Sequence, residues 1–358
     1  GALDSVNWKE VAPDKNGDWI NQRDNSFSAF IPIGSKAKGD DEKIFQLHSA
    51  GVGTSRDAWV SNHSKRAVEE NMARMLATLN QQVDSAAEAR RLGLPWTRDN
   101  DPTKISWIGT DERLIKSGKK LSADDFEIVR SMYRPFAKTY LAFGAKVNNR
   151  VYQLPKMFSS NTANRAIVIS GVGAAMPFSA FMVSEIPDAS FFGAQSNLQV
   201  FSESTIEVGI SKDELGLFAE IAGHASTSED NLSAGVLSAI SKRLGRTVSP
   251  SELFDYVYGV LNWPAYREQY SVDLKKELPR IPIANDFETI LDSGRKLAEL
   301  HLNYESLPEF PLEVIGRDAE NFHVIKMKYG KNGRNEDKTI IHLNERLQVR
   351  GIPLEAHE

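Results

Sequence analysis

The stretch SPSELFDYVYGVL, residues 249–261, marks the place where the pattern of the chain changes from strands to helices. Ser249 can cap a helix, Pro250 suits the first helical position, and Glu252 completes a capping box. The apolar side chains of this stretch recur at helical spacing. They are Leu253, Phe254, Val257, Tyr258 and Leu261. The sequence therefore predicts a capped helix with one apolar face.

A second helix is predicted downstream, in DFETILDSGRKLAELHLNYE at residues 286–305. Its apolar residues also share one face. They are Phe287, Ile290, Leu291, Leu297 and Leu300. Short strands return in HVIKMKY at 323–329 and in KTIIHL at 338–343. We interpret residues 211–358 as a mainly helical subdomain with short terminal strands.

Upstream of this region, the pattern favours strands, with one long helix between Ser64 and about residue 95, where apolar residues recur at helical spacing. Residues 1–62 combine short apolar runs with turn signals, and residues 104–210 leave no room for long helices. The strand-like runs are KISWI, TYLAF, AIVIS, AFMVS and NLQVF. The prediction is an α+β fold in three segments. These are strands and loops in 1–62, a β-rich subdomain that begins with the long helix in 63–210, and the helical 211–358.

The distribution of charge along the chain is uneven. Residues 34–170 contain 22 bases and 15 acids, a net charge of +7, which leaves −12 for the remainder of a chain whose net charge is −5. Residues 128–184, here called the acid-free stretch, contain no acid but seven bases and eight aromatic residues. The bases are Arg130, Arg134, Lys138, Lys146, Arg150, Lys156 and Arg165.

Two interpretations of the acid-free stretch are open. A surface that faces phosphates gains affinity from every base through counterion release, and an acid on it would repel the nucleic acid. Arginine beside aromatic residues can also contact bases and stack on them. The plainer alternative is that the bases pair with acids elsewhere and the aromatic residues belong to the core. We favour a nucleic-acid surface.

Composition limits the class of protein. The chain has 358 residues, 25% of them charged, and no cysteine, which predicts a globular protein of a reducing compartment such as the cytoplasm. No signal peptide is visible, and the first residues, Gly-Ala-Leu-Asp, favour a piece of a longer chain. The seven histidines are scattered, so no metal site is predicted. No known catalytic motif is present, and we expect no catalytic residue.

One uncharged run of 19 residues, AIVISGVGAAMPFSAFMVS at 166–184, allows three interpretations. Two buried strands joined by a turn explain its two apolar clusters better than a membrane span does. The glycines of Gly171–Met176 also suit a loop that cradles a phosphate, which leaves a nucleotide-binding enzyme as an alternative. Pro177, however, disfavours the helix whose N-terminus would hold the phosphate.

The chain resembles the type ISP group of single-polypeptide type I restriction–modification enzymes. The resemblance rests on YVYGVLNWPAYREQYSVDLKKELPRIPIANDF at 256–287 and GRKLAELHLNYE at 294–305. Shorter matches occur in the same order along nearly the whole chain. They are GDWINQRDNSF, FIPIGSK, IFQLHSAGVGTSRDAWV, DPTKISW, SMYRPFAKTYL, LPKMF and GIPLEA.

This resemblance implies a C-terminal target-recognition domain that binds double-stranded DNA. In the family, a nuclease, a helicase, a coupler and an adenine methyltransferase belong to the same polypeptide. Their motifs are absent here, so S-adenosylmethionine, ATP and Mg are expected only in a full-length enzyme. The implied partners are DNA and the methyltransferase and coupler domains, without a membrane. A protein-interaction scaffold that docks those domains is the second hypothesis.

The resemblance also suggests where DNA is contacted. GVGTSRDAW at 51–59 is similar to a loop that follows the catalytic core in related methyltransferases, with Ser55 in place of a glycine. Arg56 would contact DNA from this loop. In the acid-free stretch, Arg134, Arg150 and Arg165 suit guanine. Lys138, Lys146 and Lys156 suit phosphates, and NNR at 148–150 suits a base-reading loop. The predicted DNA-binding residues are Arg56, Arg130, Arg134, Lys138, Lys146, Asn148, Asn149, Arg150, Lys156 and Arg165.

Overall fold

The computed structural model describes residues 11–14, 16–35, 42–159, 163–207, 227–316, 323–324 and 326–357. The chain forms two compact units, Gly1–Tyr304 and Glu305–Glu358. This division differs from the three predicted segments, and the three-part division stays a prediction. Helices and strands are mixed throughout the first unit, and the α+β prediction is confirmed.

The elements of the described residues are numbered in chain order. The helices are α1 Asp57–Val60, α2 Lys65–Leu92, α3 Gly109–Ser117, α4 Ala234–Leu244, α5 Pro250–Asn262, α6 Pro264–Gln269, α7 Ser271–Lys276 and α8 Phe287–Leu302. The strands of the first unit are β1 Ile31–Pro32, β2 Ser61–Asn62, β3 Glu127–Arg134, β4 Ala137–Phe143, β5 Ala166–Ile169, β6 Ala180–Val183, β7 Ile186–Pro187, β8 Gln199–Ser202, β9 Ser204–Glu207, β10 Thr227–Asp230 and β11 Arg280–Ile281. Those of the second unit are β12 Glu313–Ile315, β13 Lys328–Asn332, β14 Asn335–His342 and β15 Gln348–Arg350.

The long predicted helix is α2, and local sequence explains both of its ends. The Ser64 hydroxyl accepts a hydrogen bond from the Ala67 amide, which caps the N-terminus. Gly93 ends the helix in the left-handed conformation, with φ of 66°. Apolar side chains at helical spacing are buried on one face. They are Val68, Met72, Met75, Leu79 and Val83.

Helix α3 was not predicted, and KISWI, which precedes it, is not a strand. The sequence offers no serine or threonine at the position before the helix, so the usual start signal is missing. The carboxylate of Asp111 supplies the cap instead, because it accepts a hydrogen bond of 2.9 Å from the Ile108 amide. The prediction of a strand at KISWI was therefore wrong.

The uncharged run 166–184 forms two antiparallel strands, β5 and β6, joined by a turn, as expected. With β8 they form a sheet in the order β6-β5-β8. Alternate residues enter two different apolar clusters: Val168 and Phe181 pack into the cluster that contains α2, while Ile167 packs into the cluster that contains α5. Burial on both faces explains why this run lacks charge. The part of the chain that the structure describes has no helix long and apolar enough to cross a membrane.

A second sheet, in the order β2-β4-β3-β7, lies beside α2. Strands β3 and β4 form a hairpin that contains the first bases of the acid-free stretch, and β3 and β7 are parallel. The hairpin turns at Pro135 and Phe136, the latter with φ of 59°. In the second unit, β12-β15-β14-β13 form an antiparallel sheet.

The capping box at Ser249 is present, and α5 begins at Pro250 as predicted. Residues 253–261 are all buried, so α5 is the central helix of its cluster rather than a helix with one apolar face. Helix α8 crosses it at two glycines. A Cβ on Gly294 would lie 2.1 Å from the Asp255 carbonyl oxygen, and one on Gly259 would lie 2.3 Å from that of Ile290. Leu300, which was predicted on the buried face of α8, is 49% exposed.

Candidate nucleic-acid interface

Two loops that are far apart in sequence pair side by side, and both were singled out from the sequence. Gly53 and Arg150 exchange backbone hydrogen bonds of 2.9 and 2.8 Å. The side-chain amide of Asn149 donates to the Ser55 hydroxyl at 3.1 Å. The loop at 51–57 is thereby joined to the loop at 148–152. We call these two segments together the paired loops.

The backbone of the paired loops is unusual at several positions. Ser55 has φ of 56° and Tyr152 has φ of 47°, a region that residues other than glycine seldom occupy. Ser55 therefore takes the conformation that a glycine would adopt more readily at this position. Gly51 is required for another reason: a Cβ there would lie 2.7 Å from the Asp188 carbonyl oxygen. Contact with Asp188 and Ala189 thus holds the start of the loop against the chain that follows β7.

A depression with a volume of about 360 Å³ lies beside the first of the paired loops. Its polar lining includes the carboxylates of Asp57 and Asp188 and the hydroxyls of Ser55 and Ser190. Burial raises the pKa of the Asp188 carboxyl, nearby Asp57 raises it further, and Arg134 opposes the change. These groups can accept hydrogen bonds from the amino groups of bases, and carboxylates suit the cytosine N4 amine in particular.

Four of the ten predicted DNA-binding residues have exposed side chains: Arg130, Asn149, Arg150 and Lys156. Asn149 and Arg150 belong to the paired loops, and the Arg150 guanidinium lies 6.0 Å from the centre of the exposed Tyr152 ring. On the sheet, the Arg130 guanidinium lies 4.8 Å from the centre of the Tyr140 ring. For these four residues, contact with DNA stays a prediction.

Three further predicted residues are partly buried and form ion pairs with acids outside the acid-free stretch. Arg134 lies 3.1 Å from Asp188 and Lys138 lies 3.0 Å from Glu185, while Lys146 pairs with Asp125. Each of these bases already has a carboxylate partner, so a phosphate would have to compete with that partner.

Arg165 and Asn148 are both engaged in contacts within the fold. The guanidinium of Arg165 makes ion pairs with Glu203 at 2.7 Å and Asp255 at 2.5 Å, and it lies over the Phe254 ring. Asn148 is 1% exposed and accepts from the Gly144 amide while it donates to the Ala142 carbonyl. Both side chains hold elements together. The predicted contact with a base is therefore corrected for Asn148, which has no exposed amide to offer. For Arg165 it stays a prediction, since a base would have to compete with the two carboxylates.

The side chain of Arg56 is likewise in the interior rather than on the surface of its loop. It pairs with Asp111 at the start of α3, and neither side chain has exposed surface. Its predicted contact with DNA does not fit this geometry, because the guanidinium would have to leave a buried carboxylate. Trp59, three residues later, is buried as a core residue.

The acid-free stretch is thus not one uniform basic face. Four of its seven bases pair with acids that lie just outside it or far along the chain. The plainer alternative, pairing with distant acids, accounts for these four. Arg130, Arg150 and Lys156 remain as exposed bases.

The loop Gly171–Met176 is a tight packing turn and not a phosphate cradle. The Gly171 amide donates to the Ser196 carbonyl and the Gly173 amide donates to the Lys275 carbonyl. A Cβ on Gly171 would lie 1.9 Å from the Asn197 carbonyl oxygen, which explains the glycine. Strand β6 follows instead of a helix. The geometry therefore gives no support to the nucleotide-binding alternative.

Two features near the paired loops were missed by reasoning from the sequence. Asp188 lines the depression, and its backbone pairs with that of Val52 in an isolated parallel bridge between distant parts of the chain. The exposed Arg74 of α2 lies 5.4 Å from the centre of the Trp59 ring, next to α1. A base on the exposed face of an amphipathic helix carries no distinguishing signal in a single sequence.

Comparison with known proteins gives consistent results. The chain is similar, with 31% identity and a TM-score of 0.74 over 98% of its length, to a nuclease-deletion mutant of the Type ISP restriction-modification enzyme LlaGI in complex with a DNA substrate mimic. It is also similar, with 28% identity and a TM-score of 0.76 over 97% of its length, to the ATP-dependent Type ISP restriction-modification enzyme LlaBIII bound to DNA. It shares its fold, at 24% identity and a TM-score of 0.78 over 99% of its length, with DrdV in a DNA complex.

These similarities cover 30%, 21% and 34% of the three longer proteins, respectively. A search of curated proteins found no match. Residues 43–358 match the family described as the Type ISP C-terminal specificity domain. The chain therefore belongs to the Type ISP C-terminal specificity domain family.

Proposed function

We propose that this chain recognises a specific sequence in double-stranded DNA for a restriction–modification enzyme. The observation that carries the proposal is the arrangement of the paired loops, which place Asn149, Arg150 and Tyr152 on the surface beside a polar depression. Membership of a specificity-domain family and similarity to two Type ISP enzymes that bind DNA support it.

The exposed side chains suit the tasks of sequence reading. Arg150 can donate two hydrogen bonds to guanine O6 and N7, and Asn149 can pair with adenine. Asp57 and Asp188 can accept hydrogen bonds from base amines, which arginine and lysine cannot do. Lys156 and Arg130 suit phosphates, which fix the position of the duplex without reading its sequence.

Chemistry on the DNA is then left to other domains. We propose that this segment has no catalytic activity and needs neither S-adenosylmethionine, ATP nor Mg of its own. Its protein partners are the methyltransferase and coupler domains of the same polypeptide, and it acts in the cytoplasm. A scaffold that docks those domains stays a second hypothesis, and it is compatible with DNA binding.

Selection from a pool of random duplexes tests the proposal directly. We expect the purified chain to enrich one short sequence, and to bind that duplex more tightly than variants with single base-pair changes. Titration with S-adenosylmethionine and ATP should give no binding. Equal affinity for every duplex, or failure to retain any duplex at low salt, would contradict the proposal and favour the scaffold.

A further inference from the structure

One buried ion pair ties the paired loops to the rest of the first unit. The Arg56 guanidinium pairs with the Asp111 carboxylate at the start of α3, and another of its nitrogens lies 3.1 Å from the Met75 sulfur of α2. The same Asp111 oxygen accepts a hydrogen bond from the Ile108 amide. A single side chain of the loop thus contacts two helices.

The stability of the fold does not by itself explain this pair. Burial lowers the pKa of Arg56 and raises that of Asp111, because removal from water disfavours both charged forms more than their attraction restores them. Among the residues that the structure describes, the Arg56 Nε and one Asp111 carboxylate oxygen have no hydrogen-bond partner. Apolar side chains of similar volume often stabilise such a position as well as an ion pair does, or better.

The position of Arg56 in the chain indicates another role. The residue before it, Ser55, has the left-handed backbone conformation, and the Arg56 carbonyl accepts from the amides of Trp59 and Val60 at the start of α1. The Arg56 amide donates to the Thr54 hydroxyl at 3.1 Å. Fixing the Arg56 side chain therefore restricts the backbone of residues 54–57, where the strained turn meets the helix.

The constraint extends to the second of the paired loops. The Thr54 carbonyl accepts a hydrogen bond from the backbone amide of Asn149. Gly53 and Arg150 exchange hydrogen bonds between their backbones. The Ser55 hydroxyl accepts a hydrogen bond from the side-chain amide of Asn149. The orientation of the two exposed side chains, Asn149 and Arg150, thus depends on the loop that the buried pair anchors to α2 and α3.

We propose that Arg56 and Asp111 are positioning residues that hold the paired loops in one arrangement for reading bases. The inference rests on the proposed function and deepens it, because it assigns sequence discrimination to a pair that does not touch DNA. Affinity for phosphates belongs to the exposed bases and does not depend on the pair. Sequence preference and general affinity are therefore separable.

The test replaces the pair by apolar side chains in the double variant Arg56→Met/Asp111→Leu of the whole chain. Because both charges are removed together, no uncompensated buried charge remains. The Asp111 cap of α3 is lost as well, so the thermal midpoint should fall by a few degrees at most. Hydrogen exchange of the amides at residues 53–56 and 149–150 should become about tenfold faster, while exchange in α5 stays unchanged. This measurement does not depend on DNA.

Competition binding provides the second measurement, against the selected duplex and its single-base variants. We expect the preference for the selected base at one or more positions to fall about tenfold, with an unchanged dependence of affinity on salt. The double variant Arg246→Met/Glu288→Leu, in which the pair is partly exposed to solvent, is the control for the loss of two charges. It removes an ion pair beside the other apolar cluster and should leave both measurements at the parent values.

Parental exchange rates and parental base preference in the apolar double variant would overturn the inference, since the pair would then serve packing alone. If the parent chain shows no base preference, the proposed function fails, and the exchange rates still decide whether the pair positions the loops. Should the double variant fail to fold, Arg56→Lys gives the same two measurements with the charge retained.

Discussion

Individual side chains of the acid-free stretch differ mainly in whether a carboxylate already binds them. Lys138 and Arg134 have partners close by, in Glu185 and Asp188, while the side chains of Arg150 and Lys156 are exposed. Only a base that is exposed to solvent can release counterions from a duplex without first breaking an ion pair. The predictions for single residues follow from this distinction.

Lys156→Ala should weaken binding to all duplexes alike and flatten the logarithmic dependence of affinity on salt by about 0.9, because one phosphate contact is lost. Affinity measured over a series of salt concentrations checks this. Lys138→Ala is the matched control, since its ammonium lies 3.0 Å from Glu185, and its salt dependence should stay close to that of the parent. If Lys138→Ala flattened the salt dependence more than Lys156→Ala does, Lys156 would not be a phosphate contact.

Arg150→Ala should cost about 1–3 kcal/mol of binding free energy at one base pair of the selected site. The reason is the loss of a bidentate contact that only one base can satisfy, so the preference should relax there and nowhere else. Competition against all single-base variants measures it. Arg243→Ala, an exposed arginine of α4, serves as control. Uniform weakening across all sites would instead identify Arg150 as a phosphate contact.

At the scale of elements, the crossing of α5 and α8 organises the apolar cluster of the helical region. Glycines at the crossing bring the two backbones together, and α5 is buried on all sides. The C-terminal part of α8 then reaches the first sheets. There the His301 ring stacks on Phe181, with 4.1 Å between ring centres, and it makes a hydrogen bond with the Tyr258 hydroxyl.

Leu261→Ala should destabilise the chain by about 2–5 kcal/mol, because the side chain is fully buried and a cavity would remain. Leu297→Ala should cost less, since that side chain is only partly buried. Leu300→Ala, at an exposed position, should change the free energy of unfolding by less than about 0.5 kcal/mol. Urea unfolding of the three variants checks the order, and a large effect at Leu300 would contradict it.

His301 should make the fold sensitive to acid. Burial and the charge of Arg267 lower the pKa of His301 from 6.5 to about 4, so between these values the unfolded chain binds a proton that the folded chain excludes. Stability contributed by the neutral ring is complete above about pH 6.5 and is lost as pH falls towards 4. Urea midpoints at pH 7 and 4.5 should differ less in His301→Gln than in the parent. Replacement of the exposed His63 by Gln should leave the difference unchanged.

The whole molecule combines a basic region with an acidic remainder, and the ion pairs of Arg165 join the two. Its guanidinium, at the start of β5, contacts Glu203 beside β8 and Asp255 in α5. The charge asymmetry along the sequence is therefore partly neutralised in the folded chain. Of the bases in the acid-free stretch, Arg130, Arg150 and Lys156 remain exposed.

The isolated chain should show no methyl transfer to DNA with S-adenosylmethionine, no ATP hydrolysis and no DNA cleavage. The expectation follows from the absence of the sequence motifs that these reactions need. Each activity is measured with the target duplex selected for this chain, and a complete enzyme of the family is the positive control. Methylation by the purified chain would contradict the assignment of chemistry to other domains.

Local signals in the sequence determined the elements whose ends are set by neighbouring residues. The cap at Ser64, the glycine at 93, and the box at Ser249 and Glu252 act over three or four positions, so one sequence suffices to find α2 and α5. The pattern of apolar residues likewise determined the strands β5 and β6. Contiguous motifs along the chain also indicated the family, because each of them is complete within a short run of residues.

Only the tertiary structure decided which of the predicted DNA-binding residues are exposed. Arg165 and Asp255 are 90 positions apart, and Arg56 and Asp111 are 55 apart, so their pairing depends on the path of the chain between them. No local pattern encodes such a contact, because electrostatic attraction depends on distance in space and not on separation in sequence. For the same reason, the loops at 51–57 and 148–152 could each be singled out from the sequence, but their pairing could not.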